Sequence, residues 1–284
     1  AHPALSSDDP RGVSGNYGTL DQIATLTWVR SNISAYGGDP NNVTIFGQSA
    51  GGWSVTELMA SPLAKGLFHK AITQSGASAY HMAHMRQDVS GWNSGYKTAR
   101  KLDSALGLTN PSADVLRNIP PEDIIRATSW DISKGLHTVR DGVVFPETVG
   151  QSFLSGNFTA VPTLMGYNAD EGSIFFPDET TPVMWADDFP DNGQKEQLIA
   201  LQKHYGKHFK DINRLYGLSD ETNFLTNGQA LMGDDVFGAN TRFTARQNEA
   251  AGQPTYLYAF TRVPPSETQT VGAFHSAEIP FIFG

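Results

Sequence analysis

Gly47-Gln48-Ser49-Ala50-Gly51 sets a serine between two glycines, two positions from each. A serine hydroxyl becomes a nucleophile only when a base takes its proton and a third group orients that base. The G-x-S-x-G spacing suits this chemistry when the serine rides a tight strand-to-helix turn that lifts Oγ clear of its neighbours. The flanking positions are then expected to be glycine because a Cβ there would strike the adjoining strand or helix. Such a turn also puts Ser49 at a helix N-terminus, where developing negative charge is favoured and the amide of Ala50 can donate to an oxyanion. The chemistry implied is acyl transfer through a covalent intermediate on Ser49.

The elements around the motif fit. Val43-Thr44-Ile45-Phe46 is a β-branched run between turn signals and predicts a strand entering the motif. Helical periodicity resumes from Gly52 to about Met59. Upstream, residues 1–17 are polar and read as loop, and apolar spacing from Thr19 to about Tyr36 predicts a helix stopped by Gly37-Gly38. Downstream, Lys70–Gln74, residues 161–166 and Thr255–Phe260 read as strands. Residues 88–107 read as helix, Pro120-Pro121 as a helix start, and Asp141–Pro146 as a turn into a short extended piece. Residues 181–230 read as mixed and largely helical. Strands alternating with helices imply an α/β fold with a mainly parallel sheet flanked by helices. No repeat or low-complexity linker divides the chain, so residues 1–284 are expected to form one domain.

Eight histidines, at positions 2, 69, 81, 84, 137, 204, 208 and 275, are the candidate bases. Chain order alone leaves several after Ser49. His204 and His208 are spaced i,i+4, but the pair has no H-E-x-x-H, so a solvated helix face is the expected reading rather than a zinc site. His81 and His84 fall in a loop, with surface positions as the default. Cysteine is absent, which excludes a Cys nucleophile, disulfides and thiolate metal ligands.

Several segments together resemble the type-B carboxylesterase/lipase family, which includes bacterial carboxylesterases and the cholinesterases. They are Gly15-Asn16-Tyr17-Gly18-Thr19-Leu20-Asp21-Gln22, Trp28-Val29-Arg30, Gly37-Gly38-Asp39-Pro40 and Val43 through Gly52. The resemblance implies an α/β-hydrolase fold and makes Ser49 the nucleophile. In that fold the triad runs Ser, then acid, then His. Gly166-Tyr167-Asn168-Ala169-Asp170-Glu171-Gly172-Ser173 resembles the family's acid motif, in which the Glu before Gly is catalytic. This selects Glu171 and leaves Asp170 as a turn-stabilising residue. Gly272-Ala273-Phe274-His275 with Glu278 resembles the segment of the catalytic histidine, which makes His275 the base. Ser75, in Gln74-Ser75-Gly76, matches a family serine that supports the triad by hydrogen bonding. Gln48 is the other expected supporting residue.

Two departures bear on substrate. Cholinesterases carry Glu before the nucleophile, where this chain has Gln48. They follow Glu-Gly-Ser with two aromatics, where this chain has Ile174-Phe175. An anionic and a π contact to a quaternary ammonium are therefore missing, so a neutral, fairly apolar ester is expected. Phe175, Ile174, Tyr80 and Met82 are candidate pocket residues, and Trp53 is expected in the core. A lipase acting on longer-chain esters and a non-catalytic scaffold of the same family are the alternatives; the scaffold reading is disfavoured because all three triad residues are present.

The family's Gly-rich oxyanion loop has no counterpart here, so Ala50 is the one oxyanion donor the sequence names. The resemblance starts after that loop and stops at Gly284, which predicts a chain truncated at both ends. The missing portions could then be a separate chain, and this stretch alone is expected to be poorly active or poorly soluble, since one lost oxyanion donor costs roughly 10²–10³ in rate. No metal or organic cofactor is implied. Formal net charge is −9, with no basic run, which disfavours nucleic acid. No apolar run is long enough to span a bilayer. N-x-[ST] triplets at Asn32, Asn42 and Asn157 are of a kind common by chance.

Overall fold

The computed structural model describes residues 1–79, 82–89, 92–133, 135–175 and 194–284. Its six strands are β1 (Thr44–Gln48), β2 (Lys70–Gln74), β3 (Ala83–His84), β4 (Val139–Arg140), β5 (Thr163–Asn168) and β6 (Thr255–Phe260). The described residues divide into two compact units. One holds residues 1–45, 56–70 and 78–161; the other holds residues 46–55, 71–77 and 162–284.

The four-stranded sheet has the order β1-β2-β5-β6, with β5 and β6 wholly in the second unit. β2 pairs with β5 and β5 with β6 in parallel register, Ala71 opposite Thr163 and Thr163 opposite Thr255. The expected mainly parallel sheet is therefore present. β5 begins at Thr163 rather than at residue 161 because Pro162 has no N–H to give a ladder; its carbonyl instead accepts from the Ala71 amide at 3.1 Å. The helix Ala239–Ala250 packs on β5 and β6. Phe224, Leu231, Met232, Val236 and Phe237 form a buried core with Leu201 and Leu218, and Trp53 and Phe175 pack against it. Burying each such side chain stabilises the fold by about 1.5–3 kcal/mol. The helix Phe224–Met232 runs into Ala239–Ala250 through a π-helical turn, Gly233–Gly238.

In the first unit an α-helix spans Tyr17–Asn32, and a 3₁₀ turn, Ile33–Tyr36, ends at Gly37 with φ +82°. Three expectations change. Residues 1–17 include a short helix, Pro3–Asp8, capped by the His2 ring accepting from Ala4 N. Helix 88–107 is confined to Gly95–Ala105, because the Ser94 hydroxyl caps it by accepting from Lys97 N. The segment after β4 is a turn without a strand: Asp141 Oδ1 gathers the amides of Val143, Val144 and Phe145 at 2.8–3.1 Å. No helix among the described residues is long and apolar enough to cross a membrane.

Candidate active site

β1 delivers Ser49 and the helix Ala50–Ala60 leaves it. Ser49 has φ +55°, in the left-handed region that an L-residue occupies at a cost of about 1–3 kcal/mol. Its backbone is tied on both sides. Ser49 N donates to Gln74 O at 2.9 Å, and Ser49 O accepts from Trp53 N at 3.0 Å. A Cβ on Gly47 would stand 2.3 Å from the Gly51 carbonyl carbon, and one on Gly76 would stand 2.2 Å from Ser49 O. Gly51 corrects the expectation for the flanking glycines, since a Cβ there meets nothing within 4 Å. Tight packing thus requires glycine at Gly47 and, from the neighbouring strand end, at Gly76, but not at Gly51. Ala50 is the first helical residue, where amides lack intrahelical acceptors.

Glu171 opens a 3₁₀ turn, Glu171–Ile174, just beyond the end of β5. Asn168 N donates to Glu171 Oε1 at 2.7 Å, and Glu171 Oε2 lies 2.6 Å from His275 Nδ1. Glu171 is 1% exposed and His275 5%. A carboxylate at this distance accepts, so Nδ1 carries the hydrogen and Nε2 offers its lone pair. Gln48 Nε2 lies 3.2 Å from His275 Nε2, and with that tautomer the amide donates. The imidazole is flanked by the Phe237 ring at 4.6 Å and the Phe175 ring at 5.0 Å between centroids. Among the described residues no hydrogen bond joins Ser49 Oγ to His275.

Behind the pair lies a second buried carboxylate. Glu278 accepts from Gln74 Nε2 at 3.0 Å and from Asn168 Nδ2 at 2.6 Å, and Asn168 Nδ2 also donates to Phe274 O at 2.7 Å. Burial first, then the charges of Glu278 and Glu171, push the Tyr258 phenol above its usual range.

Of the remaining sequence candidates, Ser75 is fully buried with φ +50°, and its Oγ has no hydrogen-bond partner among the described residues. Its amide donates to Gly166 O at 2.8 Å. Ile174 is exposed, Trp53 packs on the core, and Met82 belongs to the first unit. Tyr80 and His81 lie outside the described residues. His84 belongs to the first unit, where its Nδ1 accepts from Arg86 N and Gln87 N. His204 and His208 are exposed. Sequence reasoning passed over Asn168, Phe237 and the role of Glu278. Asn168 and Glu278 stand inside the quoted motifs, and that proximity was the available signal; Phe237 stands in none.

Residues 5–284 match the Carboxylesterase family. The chain is 31% identical over 283 residues to the fumonisin B1 esterase of Sphingopyxis macrogoltabida, covering 100% of this chain and 49% of that protein. It is 34% identical over 281 residues to the para-nitrobenzyl esterase of Bacillus subtilis (strain 168), covering 95% and 52%. A solved structure of a PNB esterase superposes with a TM-score of 0.77 at 33% identity, covering 100% of this chain and 56% of that one. A Geobacillus stearothermophilus carboxylesterase superposes with a TM-score of 0.71 at 29% identity, covering 94% and 53%. The chain spans about half the length of the relatives it matches.

Proposed function

The chain belongs to the carboxylesterase family and has its α/β-hydrolase fold, and from that premise we propose that the protein carrying it hydrolyses carboxylic esters through an acyl-enzyme on Ser49. Ser49 Oγ attacks the ester carbonyl while His275 Nε2 takes its proton. Glu171 holds the imidazole by Nδ1 and stabilises the imidazolium that forms. The amide of Ala50 donates to the oxyanion. His275 returns the proton to the departing alcohol. Water then attacks the acyl-serine with the same base, and the acid leaves.

The observation that carries this reading is the 2.6 Å contact between His275 Nδ1 and Glu171 Oε2, with both side chains buried. A lone buried carboxylate or imidazole is costly, while a paired one with its other polar atoms bonded is a preorganised acid–base unit.

The substrate proposed is a neutral, fairly apolar ester. Gln48 brings no charge beside the base, and Phe175 and Phe237 surround the imidazole with apolar surface.

A fluorophosphonate probe tests the chemistry. It is expected to label Ser49, and Ser49→Ala is expected to abolish labelling. Unchanged labelling of Ser49→Ala would remove the reading. Substrate class is tested by comparing p-nitrophenyl butyrate with acylcholines. The neutral ester is expected to give the higher kcat/KM, and preference for acylcholine would reject that part.

A further inference from the structure

Asp170 and Glu171 are consecutive carboxylates, and both grip the loop that carries His275. Glu171 takes the ring. Asp170 takes the backbone: its Oδ2 accepts from Ala273 N at 2.7 Å, and its own amide donates to Ala273 O at 3.1 Å. The same residue pairs with Phe274 in an isolated parallel bridge. His275 follows directly. Two further contacts close the junction, Ser173 Oγ donating to Val271 O at 2.8 Å and Asn168 Nδ2 donating to Phe274 O at 2.7 Å.

Gly272 is shaped around this carboxylate. It has φ +69°, and a Cβ there would stand 2.2 Å from Asp170 Oδ2. The base loop therefore leaves room for Asp170 at the one point where any side chain would evict it. Asp170 also differs from a residue that stabilises only its own turn, since its side-chain oxygen bonds an amide 103 residues away.

We infer that Asp170 is the positioning residue that locks the acid loop to the base loop and so sets the Glu171–His275 hydrogen bond. The inference rests on the triad reading for its catalytic consequence, but its structural core does not. The bridge and the Ser173 and Asn168 bonds to this loop all run through neutral donors and acceptors. The Asp170 carboxylate adds a charge-assisted bond to the Ala273 amide, roughly twice as strong as a neutral one, two residues from the imidazole. Misplacement of a base by about 1 Å costs up to about 100-fold in rate.

The test uses proton NMR and kinetics together. A short bond from Nδ1 to a carboxylate gives a far-downfield imidazole proton. In the wild type that resonance is expected and should vanish in Glu171→Gln. In Asp170→Ala it is expected to broaden or disappear while the far-ultraviolet circular dichroism stays native. The same variant should lose kcat on p-nitrophenyl butyrate by about 10- to 100-fold with KM little changed. Asp170→Asn keeps an acceptor oxygen and is expected to recover most of both signals. If Asp170→Ala does not fold, Asp170→Ser, too short to reach the Ala273 amide, takes its place with the same expectations. A resonance and kcat both within twofold of wild type in the alanine or serine variant would overturn the inference, as would an asparagine variant no better than alanine. If wild type neither turns over esters nor labels at Ser49, the triad reading fails, and the dependence of the resonance on residue 170 still decides the inference.

Discussion

Glu171 and His275 are fixed through their side chains, whereas Ser49 is fixed through its backbone. Both oxygens of Glu171 and both ring nitrogens of His275 have hydrogen-bond partners, and two aromatic rings flank the imidazole. Ser49 has a strained φ and two main-chain anchors, while its Oγ has no hydrogen bond among the described residues. The contrast follows the chemistry. A base and its acid must hold one geometry through every step, and a buried carboxylate and imidazole keep it only when their remaining polar atoms are bonded. A nucleophile must be aimed by its backbone, yet its oxygen must leave the base for a carbonyl.

The comparison can be broken most sharply at the reacting atoms. Ser49→Ala and His275→Ala should each lower kcat on p-nitrophenyl butyrate by a factor on the order of 10⁴–10⁶. Circular dichroism of both variants should remain native. A loss of less than tenfold in either would dissolve the division between aimed nucleophile and braced base. Next comes the turn. Gly47→Ala drives a Cβ into the Gly51 carbonyl, so it should destabilise by about 3 kcal/mol or more in urea unfolding and abolish labelling of Ser49. The far-downfield imidazole proton should survive wherever that variant is folded. Its disappearance would mean that the two regions are not separately held.

A smaller effect concerns a partly buried glutamate, Glu57, on the helix Ala50–Ala60. It has one hydroxyl partner, Thr138 Oγ1 at 2.7 Å, where Glu171 has an amide and an imidazole. Burial outweighs that hydroxyl and pushes the Glu57 carboxyl up to about 7 from its usual 4.5. The folded-state value is raised, so the stability it brings is fully present below the unfolded value near 4.5 and is lost as pH rises through about 7. Glu57→Gln should therefore match wild type near pH 4.5 and exceed it at pH 8 by up to about 3 kcal/mol in thermal unfolding. Equal stability of the two proteins at pH 8 would show that Glu57 is solvated after all. The smallest effect is Gly51→Ala, which places a methyl in open space within a helix. It should stabilise by about 0.5–1 kcal/mol, the opposite sign to Gly47→Ala two residues before the nucleophile.

Where sequence and structure agree, local chemistry decides the outcome. Lys70–Gln74 and Thr255–Phe260 are strands at the bounds expected, because β-branched and aromatic runs closed by turn residues specify their own ends. The triad candidates were legible through motifs, and Glu171 and His275 do come together. What was not legible is non-local. Nothing near Asp170 tells that its carboxylate bonds Ala273. Phe237 lies on the imidazole because a π-helical turn aims it, and no residue type marks such a turn. Gly51 looked equivalent to Gly47 because a symmetric pattern hides which side of a turn is crowded.

The π-helical turn also constrains how the chain can change in length. Between Phe224 and Ala250 the backbone stays helical while holding the wider winding at Gly233–Gly238. Ordinary winding advances about 100° per residue, and the wider turn absorbs roughly one residue of that advance. Deleting one residue there would therefore restore ordinary winding and keep the same stripe of Ala239–Ala250 toward β5 and β6, whereas the same deletion elsewhere in the helix would rotate it. Phe237 stands inside the turn and would lose its place on the imidazole, so the cost of shortening falls on the site rather than on the sheet.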